Sequence, residues 1–426
     1  MTDREMLNNN KSIYMKSPYK PSLISWNLTN MCNLKCPHCY LSAGKKAHRE
    51  LSTDKCLGLI DEMKSLGTEM LILTGGEPLL RKDIYDIARY ASDKGLWVVM
   101  GTNGVLITEK VAQKMVDCGV KGVGISIDSL QASKHDAFRG GPNSWDYSVR
   151  ALKICKEQGL QVLVQTTLME FNYDEIPNMI EFAYQQGAWS FNLYFLVQTG
   201  RGHQLNDLSP EKSEEMLLKL VELQNNYRPM LVRSKCAPNF KRISYEKGTG
   251  GLESGGCMAG TQYCRIMPEG EVTPCPYMPV VAGNIYEKSF SEIWNTSPIL
   301  SELRDLDKLK GRCHDCEYIE LCGGCRCRAY ARYEDYLQED PGCTYQPKGK
   351  SLDRREIIWS AEATVRLEKI PLVFIREKVK SGLETYARRN SKQQITVEMF
   401  KEAMAGEGRP DVFNKLPSFI KDKKRD

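Results

Sequence analysis

Cys32-Asn-Leu-Lys-Cys36-Pro-His-Cys39 places three thiols within eight residues. Three closely spaced thiolates hold three irons of a four-iron cluster and leave the fourth iron without a protein ligand. An open iron can bind and reduce a small molecule, which a fully ligated cluster cannot do. The alternative is a zinc knuckle. Zinc needs a fourth ligand, and His38, wedged between Cys36 and Cys39, is badly placed to supply it.

Outward from this loop the chain alternates. Short apolar runs lie at 23–28, 70–73, 97–100, 123–127, 162–168 and 191–196. Between and after them come amphipathic stretches at 52–66, 83–94, 108–118, 145–158, 173–186 and 209–227. Strand alternating with helix predicts right-handed βαβ units and a parallel sheet. Six units are too few for a closed eightfold barrel, so a partial (βα)6 barrel is expected over residues 22–235. Sites in such sheets lie at the C-terminal ends of strands, and the cysteine loop follows the first strand.

The chain has 426 residues, 41% of them hydrophobic, enough for two or three domains. No apolar run reaches the ~20 residues of a membrane span. Residues 1–21 form a polar tail without the apolar centre of a signal peptide, so a cytoplasmic location is expected. Sixteen cysteines in a long chain without an export signal point to metal rather than disulfides. Residues 351–426 carry 17 basic and 12 acidic side chains, the whole of the net charge of +5. These are spread along helical patterns, so no nucleic-acid partner is expected.

The cysteine loop, followed one βα unit later by Thr74-Gly-Gly-Glu-Pro78, resembles the radical S-adenosylmethionine (SAM) superfamily. The resemblance implies that Cys32, Cys36 and Cys39 bind a four-iron cluster whose free iron chelates SAM. Reductive cleavage of SAM would then yield a radical that abstracts hydrogen from a substrate. It also implies that Gly75, Gly76 and Glu77 receive the amino group of SAM. Asn103 in Thr102-Asn-Gly104, with Ser126 and Asp128 in Ser126-Ile-Asp128, would contact ribose or carboxylate; Asn103 and Asp128 could instead cap helices. His38 would lie by the adenine, not as a general base. A flavodoxin or ferredoxin-type reductant and anaerobic chemistry follow from the same likeness.

Residues 236–348 are dense in cysteine. Cys257, Cys264 and Cys275, then Cys313, Cys316, Cys322, Cys325 and Cys327, then Cys343, resemble the SPASM extension of these enzymes, which holds two auxiliary four-iron clusters. Carried over by position, Cys257, Cys264, Cys275 and Cys325 ligate the nearer cluster. Cys313, Cys316, Cys322 and Cys343 ligate the farther one. Three residues usually separate the counterparts of Cys322 and Cys325. Here there are two, and Cys327 is the alternate to Cys325. A single four-thiolate zinc site from Cys313, Cys316, Cys322 and Cys325 would leave four cysteines unexplained. Cys56, Cys118 and Cys155 fall in helical patterns and are expected in the core. Cys236, just past the barrel, is a candidate catalytic thiol facing the substrate cavity.

Residues 349–426 are expected to form short helices around Trp359, Leu367, Ile370, Phe374, Ile375, Tyr386, Ile395 and Phe400. This segment resembles a small module of light-independent protochlorophyllide reductase. The barrel and SPASM region resemble radical SAM enzymes of heme and heme d1 synthesis. Together the likenesses imply three four-iron clusters and a carboxylated tetrapyrrole whose side chains are decarboxylated or lose acetate. Arg366, Arg376, Arg388 and Arg389 would either pair with ring carboxylates or form a solvated helix face. The alternative function is a peptide or protein maturase. Only about twenty residues precede the first strand, too few for the peptide-binding domain that many such maturases carry there.

Overall fold

β-Branched and aromatic runs bounded by glycine and proline form seven parallel strands: β1 Leu23–Asn27, β2 Met70–Thr74, β3 Trp97–Thr102, β4 Gly122–Ser126, β5 Gln161–Leu168, β6 Ser190–Phe195 and β7 Leu231–Lys235. They are described in a computed structural model that covers residues 19–247, 256–349, 357–370, 373–389 and 392–399. The strands pair in sequence order, β1 to β7. Helices return the chain between them, and those at Thr53–Ser65, Glu109–Asp117 and Pro210–Leu223 each start at a side chain that satisfies a free backbone N–H. Ser52, Thr108 and Ser209 accept from Lys55, Val111 and Lys212 in this way. Cys56 and Cys155 are fully buried and Cys118 nearly so, all in the sheet–helix core.

Seven strands stand where the sequence predicts six. The additional one, Leu231-Val-Arg-Ser-Lys235, alternates apolar with polar residues and lacks an apolar run. Arg233 and Lys235 sit opposite Asn192 and Tyr194 of β6, so they share the inner face. The register extends a polar inner stripe through Asn27 and Thr74 of β1 and β2, and through Ser126, Gln165 and Asn192 of β4, β5 and β6. A partial barrel with a polar lumen is built to receive a ligand.

The sheet does not stop after residue 235. β8 (Tyr263–Ile266) runs parallel to β1, with Ser25 opposite Arg265. β9 (Glu271–Thr273) and β10 (Gly283–Asn284) then add antiparallel strands. The cysteine-rich region thus extends the barrel's own sheet.

The C-terminal segment has a small core of its own, including Ala363, Leu367, Val379, Leu383 and Ile395. Helices Ala361–Glu368 and Val373–Arg389 pack there. A parallel pair of two-residue strands, β11 Ile358–Trp359 and β12 Gln394–Ile395, joins helices where only helices were expected. The side chains of Phe374, Ile375, Arg388 and Arg389, and all of Phe400, lie outside the described residues. Arg376 is turned to its own backbone and donates to the Ile370 carbonyl at 3.0 and 3.1 Å. That carbonyl lies just past the helix Ala361–Glu368. Among the described residues no helix is long and apolar enough to cross a membrane.

Candidate active site

The loop after β1 is held on all sides. Cys32 N–H donates to Gly44 O at 3.1 Å, and Gly44 N–H to Asn30 O at 2.8 Å. Backbone N–H groups of Leu34 and Ala43 point at the Cys32 and Cys39 sulfurs at 3.5 and 3.4 Å. Arg201, from the segment after β6, clamps the loop. Its backbone N–H reaches Cys39 O, its Nε reaches Cys36 O at 2.9 Å, and its Nη1 reaches Ala43 O at 2.6 Å. A side chain on Gly200 would run into the Cys39 and Tyr40 carbonyls, and φ there is +56°. Only glycine lets Arg201 come this close.

Arg139 closes the opposite side. It lies 3.9 Å from the Cys36 sulfur and ion-pairs with Asp128 at 2.5 Å. Asp128 also accepts from Thr167 N–H at 2.7 Å. Asp128 is fully buried, its carboxylate engaged by the protein, so it supports the wall that carries Arg139.

The Gly75-Gly76-Glu77 turn after β2 is fastened to the same loop. Gly76 N–H donates to Thr29 O and Glu77 N–H to Met31 O, both at 2.7 Å. A Cβ on Gly76 would collide with the Met31 carbonyl. The Glu77 carboxylate accepts from Thr102 Oγ1 at 2.8 Å and Asn103 N–H at 3.0 Å. Burial pushes its pKa up to about 7 against the pull of these donors. Asn103 Nδ2 donates to Asn33 Oδ1 at 2.8 Å, which ties β3 to the cysteine loop. Ser126 stands half-buried at the C-terminal end of β4.

His38 stacks on Phe138 with ring centroids 4.4 Å apart and planes 7° from parallel. Burial and the nearby Arg139 and Arg201 hold it neutral. Its Nδ1 and the Asn30 Oδ1 are buried without a hydrogen-bond partner. Such atoms are rare in a finished interior and fit a cradle shaped for a polar guest. Three thiols, backbone donors aimed at sulfur and two unpartnered polar atoms at the mouth of the lumen fit an iron–sulfur cluster with a small polar cofactor.

Two further thiol pockets lie beyond the lumen. Cys313, Cys316, Cys322 and Cys343 line one pocket together, with Arg312, Tyr345 and Asp340 around them. The second gathers Cys257, Cys275, Cys325 and Cys327 around Val197, Ala259 and Met278, and Cys236 packs into the same group. Between the pockets runs a buried ion pair, Arg328 to Asp340 at 2.8 Å. Asp340 also accepts from Cys325 N–H at 2.7 Å, and its own N–H points to the Cys313 sulfur at 3.4 Å. Arg326 donates toward Cys313 from the other direction, at 3.6 Å. Among the described residues no three Cys, His, Asp or Glu side chains converge as closely as a single metal ion requires. A four-iron cubane spreads its thiolates wider.

The structure does not bring Cys264 to either pocket. Side chains alternate across β8. Tyr263 faces Ser25, Tyr40 and Cys275, and Arg265 faces Tyr40, Cys275 and Cys327. Cys264 therefore points the other way, into the core beside Arg304, with no exposed surface. This parity sets Cys264 apart from the thiols with which the position-by-position reading groups it. Cys236, set apart as a thiol facing substrate, sits among the other cysteines. Arg139 and Arg201 were not singled out in the sequence, although Arg139 is 103 and Arg201 165 residues from the Cys36 atoms they bind.

A partial parallel barrel, a three-thiol loop at its C-terminal mouth and a cysteine-rich extension define the class of SAM-dependent iron–sulfur radical enzymes. Comparison with known proteins bears this out. The Radical SAM superfamily matches residues 26–183, an iron–sulfur cluster-binding SPASM domain matches 257–326, and the proto-chlorophyllide reductase 57 kD subunit family matches 359–403. An AdoMet-dependent heme synthase of Methanosarcina barkeri is 40% identical over 343 residues, which span 78% of this chain and 98% of that protein. A pre-heme d1 synthase of Dinoroseobacter shibae is 31% identical over 76% of this chain and 86% of its own length. The crystal structure of Streptococcus suis SuiB bound to S-adenosylmethionine superimposes with a TM-score of 0.65 at 17% identity, covering 80% of this chain and 81% of that one. The chain belongs to the radical SAM enzymes with a SPASM domain, and it binds SAM and a four-iron cluster.

Proposed function

We propose that this enzyme modifies a carboxylate-bearing side chain of a heme-type tetrapyrrole, by oxidative decarboxylation or loss of acetate. The observation that carries the reading is the 40% identity to a heme synthase, sustained over nearly all of that protein's length. The tail's likeness to a protochlorophyllide reductase subunit adds to it.

The lumen suits such a substrate. Tyr40, Tyr194 and Tyr277 line it with aromatic surface, and Lys235 stands opposite Tyr194 on the inner face. Aromatic rings favour a flat macrocycle; burial lowers the Lys235 pKa to about 7, and a carboxylate beside it would favour its charged form. Cys32, Cys36 and Cys39 would hold the cluster that reduces SAM, and bound SAM would supply the chemistry that removes a hydrogen atom from a side-chain carbon. Gly76 and Glu77 order the cofactor's methionine end, with Ser126 beside it and His38 and Phe138 at its adenine. Oxidative decarboxylation to a vinyl group then releases carbon dioxide and one electron. The two thiol pockets would hold auxiliary clusters, three clusters in all, and the nearer would take that electron. A flavodoxin or ferredoxin-type protein in the cytoplasm supplies the reducing equivalents.

The test is anaerobic. Purified enzyme should hold about twelve irons per chain. Reduced enzyme with SAM should shift the Soret band of a carboxylated iron porphyrin or a siroheme derivative. It should also form 5′-deoxyadenosine together with carbon dioxide or acetate. A panel of such macrocycles that neither binds nor accelerates 5′-deoxyadenosine formation, beside a peptide that does, would replace this reading with the maturase.

A further inference from the structure

Five thiols gather at the nearer pocket, one more than a cubane needs. Cys325 and Cys327 are its buried floor, 3% and 1% exposed, and Cys236, Cys257 and Cys275 pack against them. Within the group the contacts are unequal. Cys236 feels Cys325, Cys275 and Cys257 together with Arg328, and it acts in turn on Tyr194 and Tyr277. Cys257 likewise faces Cys325 and Cys275. Cys327 is hydrogen-bonded through its thiol to both Cys275 and Cys325, with Arg265 also near it.

The backbone at Cys236 carries a second mark. Its φ is +60°, the left-handed region that a residue with a Cβ seldom enters. Cys236 directly follows β7, whose Lys235 faces the lumen. A left-handed residue at a strand end redirects the chain, and here the turn delivers the thiol to the pocket. Cys264 offers no such delivery, because β8 parity buries it on the far side.

We propose that Cys236 ligates the nearer auxiliary four-iron cluster with Cys257, Cys275 and Cys325, in the place that position in sequence gives to Cys264. This rests on the reading that the pocket holds such a cluster. Ligation takes four thiolates, with their protons released as iron binds. Cys327 then stands outside the set, with its S–H toward Cys275 and Cys325. The barrel's last parallel strand becomes a direct support of the auxiliary cluster, so cluster and lumen wall move as one body.

The experiment counts iron and sulfide in full-length chain in which Cys32, Cys36 and Cys39 are all alanine. That parent should hold about eight irons, all auxiliary. Cys236→Ala in this background should fall to about four, or give the electron paramagnetic resonance signal of a three-iron cluster. Cys264→Ala and Cys327→Ala should keep all eight. The farther cluster reports that the chain has folded. If Cys236→Ala holds no iron at all, Cys236→Ser decides. A retained cluster with an altered resonance signal supports ligation, and an unaltered signal overturns it. Loss of iron in Cys264→Ala or Cys327→Ala, with Cys236→Ala unchanged, also overturns the proposal. A parent with only four irons overturns instead the two-cluster reading beneath it.

Discussion

The ring of Tyr40 meets that of Tyr277 edge to face, with centroids 5.1 Å apart and planes at 61°. Tyr40 follows Cys39, and Tyr277 stands two residues past Cys275. This one contact therefore joins the SAM-site loop to the nearer thiol pocket across the lumen. Asn27 Nδ2 donates to the Tyr40 hydroxyl at 3.1 Å and fixes its ring. Tyr194 adds a third ring 6.4 Å from Tyr277.

Replacing Tyr277 separates aromatic surface from hydroxyl. Tyr277→Phe keeps the ring pair and should turn over like the parent. Tyr277→Ala removes the pair, about 0.5–1.5 kcal/mol beyond its area. Product formed per 5′-deoxyadenosine should drop about tenfold, equivalent to 1.4 kcal/mol at the substrate step. SAM cleavage without substrate should persist. Anaerobic turnover with both products measured in one reaction checks this, and an equal fall in both would show that Tyr277 serves the SAM site instead.

Arg201 holds two carbonyls of the cysteine loop with two different nitrogens, a geometry lysine does not reproduce. Arg201→Lys should bind SAM about tenfold more weakly, from one lost charge-assisted bond of 1.5–3 kcal/mol. Its SAM-site cluster should also be stripped faster by an iron chelator, with auxiliary iron unchanged. Calorimetry and timed chelation read the two effects. An unchanged stripping rate would remove the clamp from the account.

Gly76→Ala tests the approach of two loops. The added Cβ meets the Met31 carbonyl, a backbone atom that yields only by shifting the cysteine loop. SAM affinity should fall more than tenfold, or 1.4 kcal/mol. Gly58→Ala, on the helix Thr53–Ser65 with open space at its Cβ, is the control and should bind SAM normally.

What sequence made legible, and what it hid, follows from how far each feature acts along the chain. The cysteine loop and the glycine turn are local, and their spacing is what carries the family likeness. The farther pocket is also legible, because Cys313, Cys316 and Cys322 lie close in sequence, with Cys343 brought in by the fold. The nearer pocket is not, because it depends on strand parity. Whether Cys264 or its neighbours face the thiols follows only once residues 263–266 are known to be a strand beside β1. Arg139 and Arg201 act over more than a hundred residues, and nothing in their immediate sequence marks them. The seventh strand hid behind Arg233 and Lys235, whose charges belong to the lumen rather than to a loop.

Glu77 should leave a pH signature. Burial raises its folded pKa to about 7 from an ordinary 4.5. Between those values the native chain binds the proton that the unfolded chain has released. Stability from this group is present at low pH and is lost as pH rises through about 7, after which the contribution is flat. Glu77→Gln cannot titrate. Its stability relative to the parent should rise from pH 5 to pH 7 and stay constant above. Denaturant unfolding of both chains across that range reads the difference. A constant difference would mean that Thr102 and Asn103 hold Glu77 ionised throughout.

The C-terminal segment makes the last prediction, because its core is separate from the barrel's. Ile357, Leu367, Val379, Leu383 and Ile395 pack with one another and share no cluster with β1–β10. All the cysteines precede residue 344. Removal of residues 352–426 should therefore leave iron content and substrate-free SAM cleavage intact. If the segment serves a tetrapyrrole, binding of a carboxylated iron porphyrin should weaken about tenfold, or 1.4 kcal/mol, as one set of contacts is lost. Arg366→Ala in the full chain should reproduce part of that loss, whereas Arg376→Ala, whose guanidinium holds the Ile370 carbonyl, should lower the segment's stability. Titration of the Soret band separates the cases. Full porphyrin affinity after the truncation would place substrate recognition wholly in the lumen, with Lys235 and the three tyrosines as its walls.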